Sequence, residues 1–370
     1  MPPNSDIIIV GGGAVGAACA RELAVRGRDV LIIEPGTEMG QAWRAAAGML
    51  APQIEADASD PLLRITLPAR DHYDGLAAAL GETTGIDLGL WREGIARVAF
   101  DQADAESLRL KVDWQKGQGL RCEWLDPTEL RHRWPWLGPA VGALWAPHDG
   151  ALDPARLVEA LLKDARRRGA TVIRDRVVEV KRANSSVSGV IGEREHYGAS
   201  QVVIAAGAWT GQIRGLPRTI PVQPVRGQMA ALPWPPTMAR AIVYHKDSYL
   251  LARGGEAILG STMEYVGFDP AVSSAGLAQI FASGLALYPG LVRSEVRRTW
   301  AGLRPVMPDG KPVLGAEPKL GGLWYACGHG RNGILLAGLT GVIMARLLCG
   351  EPAGLDLRDL RPERLGREES

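Results

Sequence analysis

The chain has 370 residues, 46% of them apolar and 22% charged, with a formal net charge of +1. This is ordinary for a soluble globular protein with a sizeable core, arranged as one large or two medium domains. No block of like charge offers a nucleic-acid surface or a basic membrane face, so neither partner is expected.

The opening residues Met1-Pro2-Pro3 lack a basic region, and glycines interrupt the first apolar run, so no secretory signal is expected. Ile7 to Val10 is that run, read as a strand buried on both faces. Ala14 to Arg26 carries Val15, Ala18, Cys19 and Leu23 at helical spacing, with Gly27 placed to cap it. Asp29 to Glu34 is the next strand. The result is a βαβ unit with Gly11, Gly13 and Gly16 at its first turn.

Each glycine has a physical task. Gly11 permits a tight turn, Gly13 lets backbone approach a pyrophosphate, and Gly16 lets helix and strand pack closely. The helix N-terminus, at Ala14 and Val15, adds N–H groups and positive potential. Glu34 ends the second strand, where a carboxylate can accept ribose hydroxyl protons. A lone glycine motif is weak evidence for a dinucleotide site. Strand, helix, second strand and acid together are much stronger. The turn alone does not separate FAD from NAD. The small-residue run Trp43 to Gln53 favours a bulky, rigid ligand over a further regular βα unit.

Farther on, Gly94 to Phe100 reads as a strand and Asp101 to Gln118 as a helix. A helix from Pro154 to Arg168 follows, with Asp153 as N-cap and Gly169 at its end. Thr171 to Arg182 and Gln201 to Trp209 are β-rich, the second running into small residues that could lie against a cofactor. Two strand-like stretches around Tyr244 and Met263 turn at Gly254-Gly255, and a helix is expected over roughly 274–288. Gly322 to Leu348 repeats the opening design: strand, glycine-rich turn, long apolar helix. That helix contains Arg346 and is too short for a bilayer, so it reads as buried.

Cys19, Cys122, Cys327 and Cys349 lie far apart, without CxxC or metal-ligand spacing. Neither a metal nor a disulfide framework is expected, and the cytoplasm is the expected compartment. The fold class is α/β: a Rossmann-like nucleotide domain interleaved with an α+β domain on an antiparallel sheet. The nucleotide domain is assigned 1–74, 141–225 and 301–370, and the second domain 75–140 and 226–300.

The chain resembles the glycine oxidase branch of the D-amino-acid oxidase family over almost its full length. The resemblance rests on GGGAVGAACARELAVRG with Glu34, on AAAGMLAPQ, AAGAW, WAGLRPVMPDGKPVLG and GHGRNGILLA. It implies non-covalent FAD and oxidation of a small amino acid at Cα, with hydride passing to flavin N5 and no protein base required. Members serving thiamine thiazole synthesis oxidise glycine. Carried over, Gly11, Gly13, Gly16 and Glu34 hold pyrophosphate and ribose. Ala46, Ala47, Gly48 and Met49 lie along the flavin, as do the small residues Ala206 and Gly207. Val177 meets adenine through its backbone. Gly328, His329, Gly330, Arg331, Asn332, Gly333 and Ile334 face the isoalloxazine. Arg304 grips the substrate carboxylate, Tyr249 can donate to it, and Tyr244, Met263 and Arg331 line the pocket. Gly330 departs from the bulkier residue of some relatives, which bears on pocket size.

Blander readings stand beside these. Most arginines are surface residues, and Tyr244 and Tyr249 could be ordinary sheet tyrosines. His245 and His329 invite acid–base roles but read better as packing residues, and Cys327 is not expected to bond covalently to flavin. Molecular oxygen is the expected electron acceptor, giving an imine or glyoxylate and hydrogen peroxide. The alternative is a dehydrogenase passing electrons to a quinone or carrier. A nucleic-acid-modifying flavoprotein is disfavoured by the charge balance, and a flavin binder without turnover predicts a yellow protein that no amine bleaches. A homodimer or homotetramer is the expected assembly.

Overall fold

A computed structural model describes residues 4–36, 40–57 and 60–366. The first sheet is built around the strand Asn4–Val10, whose Ile7, Ile8, Ile9 and Val10 are all buried, as a strand covered on both faces must be. Parallel to it lie Val30–Ile33 on one side and His196–Ile204 on the other. Leu323–Cys327 and Thr171–Ile173 extend the parallel set, and Val313–Ala316 closes one edge antiparallel. The helices Ala14–Val25, Leu63–Thr84, Pro154–Arg167 and Gly333–Leu348 pack together over this sheet in one apolar cluster.

Close packing here depends on missing side chains. A Cβ on Gly16 would lie 1.9 Å from the Gly11 carbonyl oxygen, so any side chain would push the first helix off its strand. A Cβ on Gly341 would lie 2.7 Å from the Ala18 carbonyl oxygen, which lets the last long helix sit against the first. Together with the short helical turn before it, the last helix gives a span Gly330–Leu348 that, contrary to expectation, is long and apolar enough to cross a bilayer by length and composition, yet it is mostly buried. Asp153 caps Pro154–Arg167 as expected, accepting from Ala155 and Arg156 N–H, a contact worth about 1 kcal/mol.

The second sheet has eight strands. In order they are Arg298–Val306, Gln223–Pro233, Glu256–Gly260, Ser248–Arg253, Ile242–His245, Ile95–Ala99, Gly142–Ala146 and Glu123–Leu125. All neighbours are antiparallel except Ile242–His245 with Ile95–Ala99, which run parallel. The helix Ser274–Leu287 covers one face beside Trp136, Trp234 and Tyr288.

Sheet membership shifts several expected dividing lines. Gly142–Ala146 pairs in the second sheet, as do Gln223–Pro233 and Arg298–Val306, so the lines at 141, 225 and 301 cut through or beside its strands. The line at 74 falls inside Leu63–Thr84, a helix of 22 residues. Thr171 to Arg182 is two strands. Buried Asp175 turns the chain between them, accepting from the Arg176 N–H at 2.7 Å and the Tyr197 hydroxyl at 2.9 Å. Val177–Ala183 then forms an antiparallel ribbon with Ser186–Gly192.

Candidate active site

The opening turn meets the sheet as its glycines allow. Gly11 has φ +104°, and a Cβ there would lie 2.5 Å from the Ala205 carbonyl oxygen. Gly13 caps the first helix with no side chain closing its N-terminus. Glu34 faces this turn: its carboxylate accepts the Gly12 N–H and a Gln41 side-chain N–H, both at 2.6 Å. The acid that was expected to serve a ribose is therefore held in place by the turn it follows.

One cavity is lined by Gly11, Gly13, Ala14, Val15 and Glu34 from this unit, by Val177 from the strand Val177–Ala183, and by Ala206 and Gly207, which follow the end of His196–Ile204. Ala46, Ala47, Gly48 and Met49 line it too. Arg253 holds that run by donating to the carbonyls of Ala47 and Leu152, both at 2.8 Å. Gly48 is required there, with φ +85° and a Cβ that would sit 2.0 Å from the Leu152 carbonyl oxygen. The turn from Gly328 to Ile334, with His329, Gly330, Arg331, Asn332 and Gly333, contributes another wall. A Cβ on Gly330 would meet nothing within 4 Å, so the small residue leaves room that a bulkier one would take. Gly16 is absent from the lining; its place is the helix–strand contact.

The second sheet supplies Tyr244, Tyr249 and Arg304 to the same cavity. Arg304 donates to the Thr262 carbonyl at 3.1 Å and to the Ser261 hydroxyl at 2.6 Å. Both acceptors are neutral, so the guanidinium keeps its charge for a ligand, although burial pulls its pKa down. Gly227, on the neighbouring strand, makes space for it: a Cβ there would lie 2.1 Å from Arg304 Nη1. Tyr249 is buried and its hydroxyl donates to the Met229 thioether at 3.2 Å, a weak acceptor. Burial raises the pKa of both tyrosines, so each keeps its proton.

Tyr244 donates to the Glu55 carboxylate at 3.0 Å, and Arg331 reaches the same oxygen at 3.4 Å. Glu55 also lines the cavity. It was missed by sequence reasoning, as were Gly227 and Ser261. Met263 is not brought to this site: it is 47% exposed and outside the lining.

The two histidines do not form an acid–base pair. His245 bonds the Val98 carbonyl, packs on Phe100 and lies off the cavity wall. His329 lines the cavity but is buried, with Nε2 at 3.1 Å from the Thr340 hydroxyl, and burial lowers its pKa to about 4. It is neutral near pH 7. A lowered folded-state pKa means that the unfolded chain binds the proton more tightly. Stability is therefore expected to fall as pH drops from about 6.5 to about 4, by as much as about 3 kcal/mol from this residue. Thermal unfolding midpoints across that range, for wild type and His329→Asn, check this. Parallel pH profiles for the two would contradict it.

The cavity suits a dinucleotide. Backbone at the Gly11–Gly13 turn is bare, a helix N-terminus opens beside a carboxylate, and small residues line the remaining wall. Gly207, like Gly330, would carry a Cβ with nothing within 4 Å, so backbone faces open space on that wall as well. Burial pushes the Cys327 thiol up to about 12, which keeps it protonated rather than reactive.

A Gly-rich βαβ turn that shares its cavity with charged and phenolic side chains from a second sheet defines a two-sheet protein suited to hold a dinucleotide beside a small charged ligand. A family model described as FAD dependent oxidoreductase matches residues 6–347, and the chain belongs to that family, with FAD as its cofactor. It is 35% identical over 362 residues to the glycine oxidase of Geobacillus kaustophilus, covering 96% of each chain. The crystal structure of glycine oxidase from that organism matches with a TM-score of 0.92 at 33% identity, covering 99% of this chain and 100% of the other. The iminodiacetate oxidase of Chelativorans sp. BNC1 matches with a TM-score of 0.89 at 28% identity, covering 96% and 98%.

Proposed function

We propose that this protein is an FAD-dependent amino-acid oxidase acting on glycine, a small N-substituted glycine or a small D-amino acid. The observation that carries the reading is Arg304, a guanidinium bonded only to neutral oxygens at a cavity shared with the glycine-rich turn. The similarity to glycine oxidases supports it.

Gly11, Gly13, Ala14, Val15 and Glu34 would hold the pyrophosphate and ribose, and Val177 the adenine side. Ala46 to Met49, Ala206, Gly207 and Gly328 to Ile334 would surround the flavin, held without a covalent bond. Bound FAD supplies the two-electron acceptor for the substrate's Cα–H bond. The chain's own part is orientation. Each Arg304 Nη keeps a second N–H after its bonds to Thr262 and Ser261, so the fork can take both carboxylate oxygens. The Tyr249 hydroxyl can leave a weak thioether acceptor for a stronger carboxylate one. No lining histidine is placed to take a proton, because His329 is neutral and bonded to Thr340. On this reading the substrate loses its ammonium proton to solvent before it enters, so its amine is neutral in the site.

With oxygen as acceptor, glycine, oxygen and water give glyoxylate, ammonia and hydrogen peroxide. The four cysteines are all free thiols, which supports a reducing compartment such as the cytoplasm. Oxygen uptake by the purified holoenzyme with glycine tests the acceptor. One peroxide per glyoxylate is expected. Glyoxylate formed only when a quinone or dye is added would move the reading to a dehydrogenase.

A further inference from the structure

Three arginines line the cavity: Arg176, which lies beside Val177 and 3.4 Å from Glu193, and Arg304 and Arg331, of which only Arg304 has no carboxylate partner among the described residues. Arg304 donates to neutral oxygens, whereas Arg331 is paired with Glu55 at 3.4 Å. The Tyr244 hydroxyl donates to the same Glu55 oxygen at 3.0 Å, which turns the carboxylate toward the cavity wall shared by all three residues. Glu55 is the largest influence raising the Arg331 pKa, while burial first and Arg331 after it lower that of Arg304, so the three charges act on one another.

The backbone beneath Glu55 is fixed from several directions. Asp149, fully buried, accepts the Gln53 and Ile54 N–H groups at 3.0 and 2.9 Å. Lys111 and Arg97 donate to the Ile54 carbonyl at 2.8 and 3.3 Å. The Gln53 side chain is itself held by Arg70, Gln115 and the Arg121 carbonyl. A carboxylate set on a clamped backbone is a fixed part of the pocket rather than a solvated surface acid.

We propose that Glu55 determines which nitrogen substituents the enzyme accepts: by pairing with Arg331 it leaves Arg304, of these two arginines, to take a carboxylate, so glycines with uncharged N-substituents fit and those bearing a second carboxylate are rejected. This rests on the amino-acid oxidase reading. A second carboxylate could bind Arg331 only by displacing Glu55, and would otherwise meet Glu55 as a like charge in a partly desolvated site. Specificity here comes from a repulsive group as much as from an attractive one.

The test uses holoenzyme and two non-oxidisable ether analogues in which oxygen replaces the amine: ethoxyacetate, with one carboxylate, and diglycolate, with two. Their Kd values are read from perturbation of the flavin absorbance, without turnover. Wild type is expected to bind diglycolate more weakly than ethoxyacetate by about tenfold or more. Glu55→Gln keeps the shape and an acceptor for Tyr244 and Arg331 but removes the charge. It is expected to shift the diglycolate-to-ethoxyacetate ratio toward diglycolate by about tenfold or more, and Arg331→Gln in the same chain is expected to abolish that gain. Arg331→Gln alone leaves Glu55 uncompensated and shifts the ratio the other way, which supplies a second reading if Glu55→Gln loses flavin. In turnover, Glu55→Gln should raise kcat/KM for N-carboxymethylglycine relative to N-ethylglycine. Equal binding of both analogues by wild type, or a ratio indifferent to Glu55→Gln, overturns the proposal. Ratios that shift as stated in an enzyme that oxidises no glycine derivative would instead overturn the oxidase reading alone.

Discussion

Arg304→Lys is expected to slow anaerobic flavin reduction by glycine on the order of a hundredfold while FAD stays bound. Lysine keeps the positive charge but offers a single ammonium in place of a planar fork. Arg304 now spends one N–H on the Thr262 carbonyl and one on the Ser261 hydroxyl, and these bonds set the angle of the fork. An ammonium can satisfy those acceptors or a substrate carboxylate, but not both in the same geometry. A carboxylate held at one point lets Cα swing, and misplacement of about 1 Å is enough for a loss of that size. Arg304→Ala is expected to be slower again and to raise KM, because the carboxylate loses its charge partner. Gly227→Ala should show a milder form of the same defect, since its Cβ would sit 2.1 Å from Arg304 Nη1 and push the guanidinium aside. Stopped-flow reduction measures all three. Wild-type rates in the lysine and alanine variants would place the carboxylate on another residue, with Arg331 next to test.

Glu34→Ala is expected to weaken FAD binding while leaving turnover of fully loaded enzyme little changed. A charge-assisted hydrogen bond is worth about 1.5–3 kcal/mol, or roughly ten- to a hundredfold in Kd. The structure adds a second reason for the loss. Glu34 holds the Gly12 N–H and Gln41, so its removal also loosens the turn that frames the site. Glu34→Gln retains the shape and an acceptor oxygen, and should fall between wild type and alanine. Flavin retained on a desalting column, followed by titration of apoprotein with FAD, gives the answer. Unchanged affinity in both variants would remove Glu34 from the ribose site.

What the sequence made legible was local. The strand Asn4–Val10, the helix Ala14–Val25 and the acid at 34 follow one another within a short stretch, so periodicity and glycine spacing reveal them together. The order of the second sheet was not legible. It joins strands from 95–99, 123–125, 142–146 and 223–306, and nothing in one strand's alternation names its neighbour. The helix Leu63–Thr84 went unread because Pro68, Gly75 and Gly81 interrupt it; packing against Gly333–Leu348 and Pro154–Arg167 outweighs their weak helix preference. Glu55 is one of 41 acidic residues, with no motif around it. Only the fold brings it to Tyr244, 189 positions away, and to Arg331, 276 away. Met263 illustrates the reverse case: family position placed it in the pocket, while this chain's backbone carries it to the surface.

The central claim is that a small amino acid, held by its carboxylate, delivers two electrons to the bound flavin. Anaerobic mixing of the yellow holoenzyme with a panel of amino acids measures that delivery without assuming any electron acceptor. Glycine and its small, uncharged N-alkyl derivatives are predicted to bleach the flavin fully, with one imine-derived carbonyl product formed per flavin, and the matching amines without a carboxylate to leave it oxidised. A flavin that stays yellow with every amino acid, or that is bleached equally by amines lacking a carboxylate, would contradict the account.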